Sequence, residues 1–427
     1  MTPGATTACP SCHALVGASE QFCEACGAEL SPSSVMADDS PLGGETPLAD
    51  EPPPTEPMPQ DLVGTASTCT SCGGEVGTEG YCGTCGTRAA KRRDHFSEQP
   101  AAWVAAVCDR GIRHTRNEDA TALAADAEPG SRAVLVVCDG VSNSVDSDVA
   151  SLAAARAARD VLATSRSRGM GTGLSLISAV VARLEAAADA ASEAVLAVTR
   201  SANDVASQAN DVARQAKVVA GQTNDVATAG DLLGERTAAE TAPEPNPASC
   251  TFVAAVVEQD LLVVGSVGDS RAYWLPDAGT PTALTLDDSF AQLQITSGVP
   301  RAEAEAGPQA HAITRWLGVD APDHKPTTAT MTLAEPGWLM VCSDGLWNYC
   351  SAAKDLAALV RQTSSTSPGP AEPLALAGAL VDWANAQGGQ DNITVALARI
   401  EPATDLPRTE SVHPAHREHR EEAGRDG

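Results

Sequence analysis

Five acidic residues, Asp119, Asp139, Asp269, Asp344 and Asp391, each stand in a Gly- or Asn-punctuated turn beside a short apolar run. The strings are Asn117-Glu118-Asp119-Ala120, Val137-Cys138-Asp139-Gly140, Val267-Gly268-Asp269-Ser270, Cys342-Ser343-Asp344-Gly345 and Gln390-Asp391-Asn392-Ile393. Any one Asp-Gly pair is an ordinary turn. The set is more demanding: if the apolar runs are strands that finish at one place, carboxylates from distant segments meet there. Oxygen-only ligands of this kind select hard divalent cations.

The runs themselves, Trp103 to Cys108, Ala133 to Cys138, Cys250 to Val257, Leu261 to Val267, Gly337 to Cys342 and Thr394 to Ile400, have strand length and β-branched content. Amphipathic helices are predicted from about Ser147 to Leu162 and from about Ala375 to Ala386. The close succession of the third and fourth runs favours antiparallel pairing over βαβ alternation. The reading is an α+β layered sheet over residues 98–402, its core built from Ala, Val and Leu because aromatic residues make up only 3% of the chain.

The 13 cysteines fall into two groups by spacing. Cys9-x-x-Cys12 with Cys23-x-x-Cys26, and Cys69-x-x-Cys72 with Cys82-x-x-Cys85, are two four-thiol units with zinc-ribbon spacing, covering residues 8–30 and 68–90. A closed tetrahedral Zn²⁺ site would fold a segment too short to own a core, so both zinc ions are read as structural. Disulfides or redox pairs are the alternative for the same motif. Cys108, Cys138, Cys250, Cys342 and Cys350 lie in or next to apolar runs and read as small buried hydrophobes.

Residues 31–67, rich in Pro, Ser, Asp and Glu, read as a disordered acidic linker, and residues 403–427 as a disordered polar tail. The tail's His413, His416 and His419 have spacing compatible with a metal or with a solvated charged segment. Val198, Val205, Val212, Val219 and Val226 recur every seven residues inside a helical insertion placed at 190–245. That stripe fits either a dimerising or partner-binding helix or a long helix packed on its own domain. A net charge of −28 argues against nucleic acid and anionic membranes as partners. No apolar run approaches the roughly 20 residues of a spanning helix, and the expected location is the cytoplasm.

Read in order, Arg113 to Ala120, Val136 to Gly140, Gly268 to Tyr273, Leu339 to Leu346 and Gly389 to Val395 resemble the successive motifs of the metal-dependent protein serine/threonine phosphatases of the protein phosphatase 2C (PP2C) family. Ser249-Cys250-Thr251, Asp287-Asp288-Ser289 and Ile313 to Gly318 echo further motifs between them. The resemblance implies a PP2C-like αββα sandwich of a bacterial enzyme with two Mg²⁺ or Mn²⁺ ions at one end, a third ion being an option. It further implies that Asp139 bridges both ions and that Asp344 and Asp391 complete the shell of the first. The Gly140 carbonyl and, through water, Glu118 would serve the second; Asp119 would stand behind the ligands and Asp269 would hold the third. Hydrolysis of phosphoserine or phosphothreonine by a metal-activated hydroxide, opposing a Ser/Thr kinase, follows from the resemblance. So do phosphorylated proteins, the kinase or its substrates, as partners.

Two positions depart from the family pattern. The phosphate-binding Arg is replaced by His114, flanked by Arg113 and Arg116, either of which is a candidate to substitute. After Asp139-Gly140 comes Val141-Ser142-Asn143-Ser144, which supplies no identifiable proton donor. A silent phosphatase-like module that binds phosphorylated or kinase partners through its zinc ribbons is the alternative function.

Overall fold

A computed structural model of the chain describes residues 6–8, 15–17, 68–69, 72–164, 173–222, 246–365 and 371–401, with no statement for side chains 206 and 209–222. Two compact units are present, divided after Pro54. In the first, strands β1 (Thr6–Ala8) and β2 (Leu15–Gly17) pair antiparallel. Cys9, Cys12, Cys23 and Cys26, the linker 31–67, and the tail with its histidines lie outside the described residues.

The second unit begins with the small Cys-rich segment and continues into two facing sheets. Its strands are β3 (His95–Ala101), β4 (Val104–Asp109), β5 (Ala120–Ala125), β6 (Arg132–Cys138), β7 (Ser249–Cys250), β8 (Phe252–Glu258), β9 (Leu261–Val267), β10 (Arg271–Pro276), β11 (Thr282–Ala283), β12 (Leu317–Gly318), β13 (Thr327–Thr332), β14 (Gly337–Cys342) and β15 (Ile393–Ile400). The helices are α1 (Ser147–Ala163), α2 (Gly173–Gln222), α3 (Phe290–Thr296), α4 (Arg301–Glu305), α5 (Asp344–Trp347), α6 (Ala353–Ser364) and α7 (Pro373–Gln387). One sheet has the order β11-β10-β14-β15-β4-β3 and the other β13-β9-β8-β6-β5, every pairing antiparallel.

Side-chain alternation along the strands builds three layers of core at once. On β6, Ala133, Leu135 and Val137 enter the space between the sheets, while Val134, Val136 and Cys138 meet α1 and α2. On β15, Ala396, Ala398 and Ile400 face inward, while Ile393, Val395 and Leu397 meet α6 and α7. Strands covered on both faces read as unbroken apolar runs, which is why the sequence announces them. The result is an αββα sandwich, as the family resemblance implies. Cys108, Cys138, Cys250 and Cys342 are fully buried, and Cys350 is half-buried.

Helix α2 runs for 50 residues. Val180, Leu184, Ala187, Ala188, Ala191 and Val195 pack against α1's Ala150, Ala154, Ala158 and Leu162, the alanines letting the two helices approach closely. Val198 is partly buried, but Val205 is 66% exposed, so the heptad stripe begins on the domain's own core and then leaves it. No helix among the described residues is long and apolar enough to cross a membrane.

One buried acid away from the acidic turns tests the sandwich itself. Glu98 on β3 is 8% exposed and accepts the Leu123 backbone N–H at 2.9 Å, with the Arg156 and Arg159 charges facing it. Burial outweighs those arginines and pushes the carboxyl up to about 7 from its ordinary 4.5. A raised acid stabilises the fold fully only below the unfolded value, and that stability is lost as pH climbs from about 4.5 to about 7. Glu98→Gln keeps an acceptor for Leu123 and removes the charge. The variant should therefore be the more stable protein at pH 8 by on the order of 3 kcal/mol, with the gap closing near pH 4.5. Urea midpoints at the two pH values check this, and a pH-independent difference refutes it.

Candidate metal centres

The acidic turns meet at one end of the sandwich because the strand registers are aligned there. Arg271 pairs with Cys342 and Cys342 with Val395, while Ile393 pairs with Asp109, so the turns of Asp269, Asp344 and Asp391 leave the first sheet from one edge. In the second sheet Ala120 pairs with Cys138, which puts Asp119 and Asp139 at the matching edge. The glycines permit contact between turns. A Cβ on Gly345 would lie 2.0 Å from the Asn392 carbonyl oxygen, and one on Gly140 would lie 2.7 Å from that of Glu118. Each separation is too short for a real side chain, so neither turn could close on its neighbour with any other residue.

Short hydrogen bonds fix the backbone of the site. Asp139 donates its N–H to the Thr251 hydroxyl at 3.0 Å and accepts the Thr251 N–H on its carbonyl at 2.7 Å. Asn392 accepts the Glu118 N–H at 2.7 Å on its side-chain oxygen and donates its amide to the carbonyls of Arg110 and Arg116. Asp119 is wholly buried, its Oδ2 accepting from Ser343 at 2.6 Å and Thr394 at 2.8 Å. Glu118, 2% exposed, is held through Oε1 by Arg116 at 2.7 Å and the Ser147 hydroxyl at 2.6 Å.

Electrostatics set the character of this end of the fold. Burial, reinforced by neighbouring carboxylates, pushes Asp139 and Asp344 well above the usual carboxylate range. Burial also lifts Asp119 to about 6 and Asp269 to about 7. Asp119 Oδ1 and Asp344 Oδ1 are buried with no hydrogen-bond partner among the described residues. Unpartnered carboxylate oxygens amid like charges are costly unless cations meet them. This donor set fits Mg²⁺ or Mn²⁺.

The three basic candidates have separate surroundings. His114 lies between two of the acids, its Nδ1 3.6 Å from Glu118 and its Nε2 3.2 Å from Asp391. Arg116 is occupied by Glu118, the Ser144 carbonyl and Ser147. Arg113 is exposed, and among the described residues only its backbone N–H is tied, to the Gly389 carbonyl. Near the rim, Arg271 pairs with Asp287 at 2.6 and 2.8 Å and lies 3.6 Å over the Trp347 ring, whose N–H donates to the Asp269 carbonyl. Asp288 accepts the Gly268 N–H, and Ser289 caps α3 through Gln292, which gives the Asp287-Asp288-Ser289 motif a structural task at every position.

Several supporting roles have no motif-level signal. Ser147 is an ordinary helix-start residue by sequence, while Ser343 and Thr394 fall within the acidic-turn motifs without their role as donors to Asp119 being marked there. Arg93 ends the short basic stretch Arg88 to Arg93 that precedes the sandwich, and it is 8% exposed and donates to the Asn117 carbonyl of this loop.

A second centre is formed by sulfur. The ligand atoms of Cys69, Cys72, Cys82 and Cys85 all lie within 4.8 Å of one another, with Sγ separations of 3.6 Å for Cys69–Cys85 and 3.5 Å for Cys72–Cys82. A tetrahedron of sulfurs about 2.3 Å from zinc has edges of roughly 3.8 Å, whereas a disulfide needs about 2.05 Å. The two knuckles are matched turns, Gly73 donating its N–H to the Cys69 carbonyl and Gly86 to that of Cys82, each at 2.9 Å. Hydrogen bonding to Thr87 lowers the Cys85 thiol to about 6, while Cys72 is pushed up to about 12, a hydrogen bond to Gly74 being outweighed by those with Cys85 and Cys82.

Comparison with known proteins finds relatives in sequence and in structure. The chain is 31% identical over 160 residues to a protein named serine/threonine phosphatase stp from Listeria innocua, which covers 37% of this chain and 60% of the relative. It is 30% identical over 152 residues to a putative protein phosphatase 2C-type of Streptococcus pyogenes, covering 35% of this chain and 58% of that protein. This chain thus spans about 60% of the length of such curated relatives. Among solved structures, the Mycobacterium tuberculosis serine/threonine phosphatase PstP/Ppp aligns over 70% of this chain and 98% of its own, with 24% identity and a TM-score of 0.48. The family model described as protein phosphatase 2C matches residues 110–383, more than half of the chain and all but one of the acidic turns. The chain belongs to the protein phosphatase 2C family.

Proposed function

We propose that this protein is a metal-dependent phosphatase that hydrolyses phosphoserine and phosphothreonine in proteins, acting in the cytoplasm against a Ser/Thr kinase or its substrates. The observation that supports the reading is the buried Asp139 carboxyl, raised by burial and by the nearby charges of Asp119, Asp344, Asp391 and Asp269, together with the buried Asp119 Oδ1 and Asp344 Oδ1 that have no hydrogen-bond partner among the described residues. Asp139, Asp344, Asp391, Glu118 and the Gly140 carbonyl would hold two Mg²⁺ or Mn²⁺ ions, with Asp119 behind them and Asp269 at a third position. When bound, such ions supply Lewis-acid activation of water and neutralisation of phosphate charge.

The chain's own residues do the rest. Thr251 and Asn392 keep the acidic turns in register, which preorganises the site. Arg113, exposed at the rim, is free to take up the substrate phosphate in a bidentate fork. In the reaction a water oxygen bonds to phosphorus as the ester P–O bond breaks, and the released alkoxide collects a proton. No phosphoenzyme is expected, because the thiols beside the acidic turns, Cys108, Cys138, Cys250 and Cys342, are fully buried and out of a substrate's reach. The four-thiol cluster of residues 69–85 would hold a structural Zn²⁺, and its exposed face is a candidate contact for the phosphorylated partner.

Mn²⁺-dependent phosphate release from a phosphothreonine peptide tests the reading. Turnover that requires metal supports it; absence of turnover by folded, Mn²⁺-loaded protein would replace it with a silent binding module. The two arginines should separate in the same assay. Arg113→Ala is expected to raise KM about tenfold with little change in kcat, the signature of lost phosphate binding. Arg116→Ala frees the Glu118 carboxylate and should raise the Mn²⁺ requirement instead. An unchanged KM for Arg113→Ala removes Arg113 from the phosphate site.

A further inference from the structure

The basic stretch that joins the four-thiol segment to the sandwich contains a buried arginine which the phosphatase motifs do not account for. Arg93 lies in a short 3₁₀ turn, Arg92–Asp94, only four residues after Ala89, whose N–H is still bonded to Gly80 of the Cys-rich segment. Arg93 is 8% exposed and feels the charges of Asp148 and Asp119, but among the described residues it forms no direct ion pair with a carboxylate. Burying an unpaired cation is expensive, so its hydrogen bonds have to be good ones.

Two of those bonds go to the loop that carries Glu118 and Asp119 and a third to Ser151 on α1, while Nη1 has no hydrogen-bond partner among the described residues. Nε donates to the Asn117 carbonyl at 3.0 Å, and Nη2 donates to the Asp119 carbonyl at 3.0 Å and to the Ser151 hydroxyl at 3.1 Å. Ser151 in turn donates to the carbonyl of Glu118. Three consecutive carbonyls, 117 to 119, are therefore gripped from one side. The Asn117 side chain returns the contact by donating to the Arg93 carbonyl at 2.9 Å. A lysine could reach one of these oxygens but not two separated along the chain, since only a planar fork presents donors in fixed, diverging directions.

We infer that Arg93 is a positioning residue for the cation site: by clamping the carbonyls of Asn117 and Asp119 it sets where the carboxylates of Glu118 and Asp119 stand. The inference rests on the metal reading proposed above. It also makes the junction between the Cys-rich segment and the sandwich a working part of the site instead of a tether.

Calorimetric titration of the full chain with Mn²⁺ tests it, comparing wild type, Arg93→Lys and Arg93→Met, with zinc content and thermal melting followed in each. Arg93→Met is expected to bind Mn²⁺ at least about tenfold more weakly, the usual effect of losing a partner that orients a metal ligand. Arg93→Lys should fall between the two. Raising Mn²⁺ to saturation should restore kcat in both variants, which a merely damaged fold would not allow. Affinity of Arg93→Met within about twofold of wild type overturns the clamp. Should Arg93→Met fail to fold, Ser151→Ala, which removes the donor to Glu118 and a partner of Arg93, is read against the same threshold. Wild-type protein that takes up no Mn²⁺ overturns the cation site itself, a result distinct from loss of the clamp alone.

Discussion

Asp139→Asn protein is expected to fold normally and to release phosphate from a phosphothreonine peptide on the order of 10³-fold more slowly than wild type, a loss of about 4 kcal/mol in transition-state stabilisation. The amide is isosteric with the carboxylate, and the two bonds that anchor residue 139 to Thr251 use only backbone groups on its side, so they survive the change. What disappears is the negative charge at the centre of the cluster. The same charge makes a second, opposite effect measurable. Burial and the carboxylates of Asp119, Asp344 and Asp391 destabilise ionised Asp139 in metal-free protein, so removing its charge should raise the melting temperature of the metal-free variant above that of wild type. Adding Mn²⁺ should reverse the order, because only wild type gains binding energy at that site. Retained turnover in the variant, or melting temperatures that respond identically to Mn²⁺, would sink the assignment of Asp139 to the cation site.

How the sequence reports this fold depends on where each strand lies. β6, β8, β9 and β14 are buried on both faces, so their alanines, valines and leucines run without interruption and are visible by eye. β13, Thr-Thr-Ala-Thr-Met-Thr, is an edge strand whose register is set by β9 and not by its own composition, and nothing apolar marks it. β3 alternates exposed and buried residues around a proline, the habit of an edge, and escapes the same test. β10 carries Arg271 into the sheet because Asp287 and Trp347 receive it, a tertiary arrangement that no local pattern encodes.

The acidic end divides along similar lines. Its turns are legible because close approach between them demands glycine at 140 and 345. The tasks of Arg93, Ser147 and Ser151 are not legible, because they are set by carbonyls and carboxylates that lie 24 or more positions away. The replacement of the family's phosphate-binding Arg by His114 is visible in sequence, but its consequence is not. Only in the folded chain does the imidazole stand between Glu118 and Asp391 while the neighbouring Arg113 faces solvent.

Removing zinc from residues 68–90 should unfold that segment while leaving the sandwich intact. Among its described residues only Cys69, Cys82 and Ala89 are buried apolar side chains, and two of those are themselves ligand candidates. An apolar core of one alanine contributes about 1 kcal/mol or less, whereas a four-thiolate zinc site contributes roughly 10–16 kcal/mol at neutral pH. Metal binding and folding of this segment are therefore one equilibrium. The amides of Gly73 and Gly86, which close the two knuckles on the carbonyls of Cys69 and Cys82, report it directly by hydrogen exchange. With zinc bound they should exchange on the order of 10³-fold or more slower than after chelation, and Cys82→Ser should show the unprotected rate even with zinc present. Protection in β6 and β8, whose core residues are fully buried, should be the same in all three samples. Knuckle amides that stay protected after chelation would mean that the backbone turns stand without metal, and the four sulfurs would then have to be explained by something other than zinc.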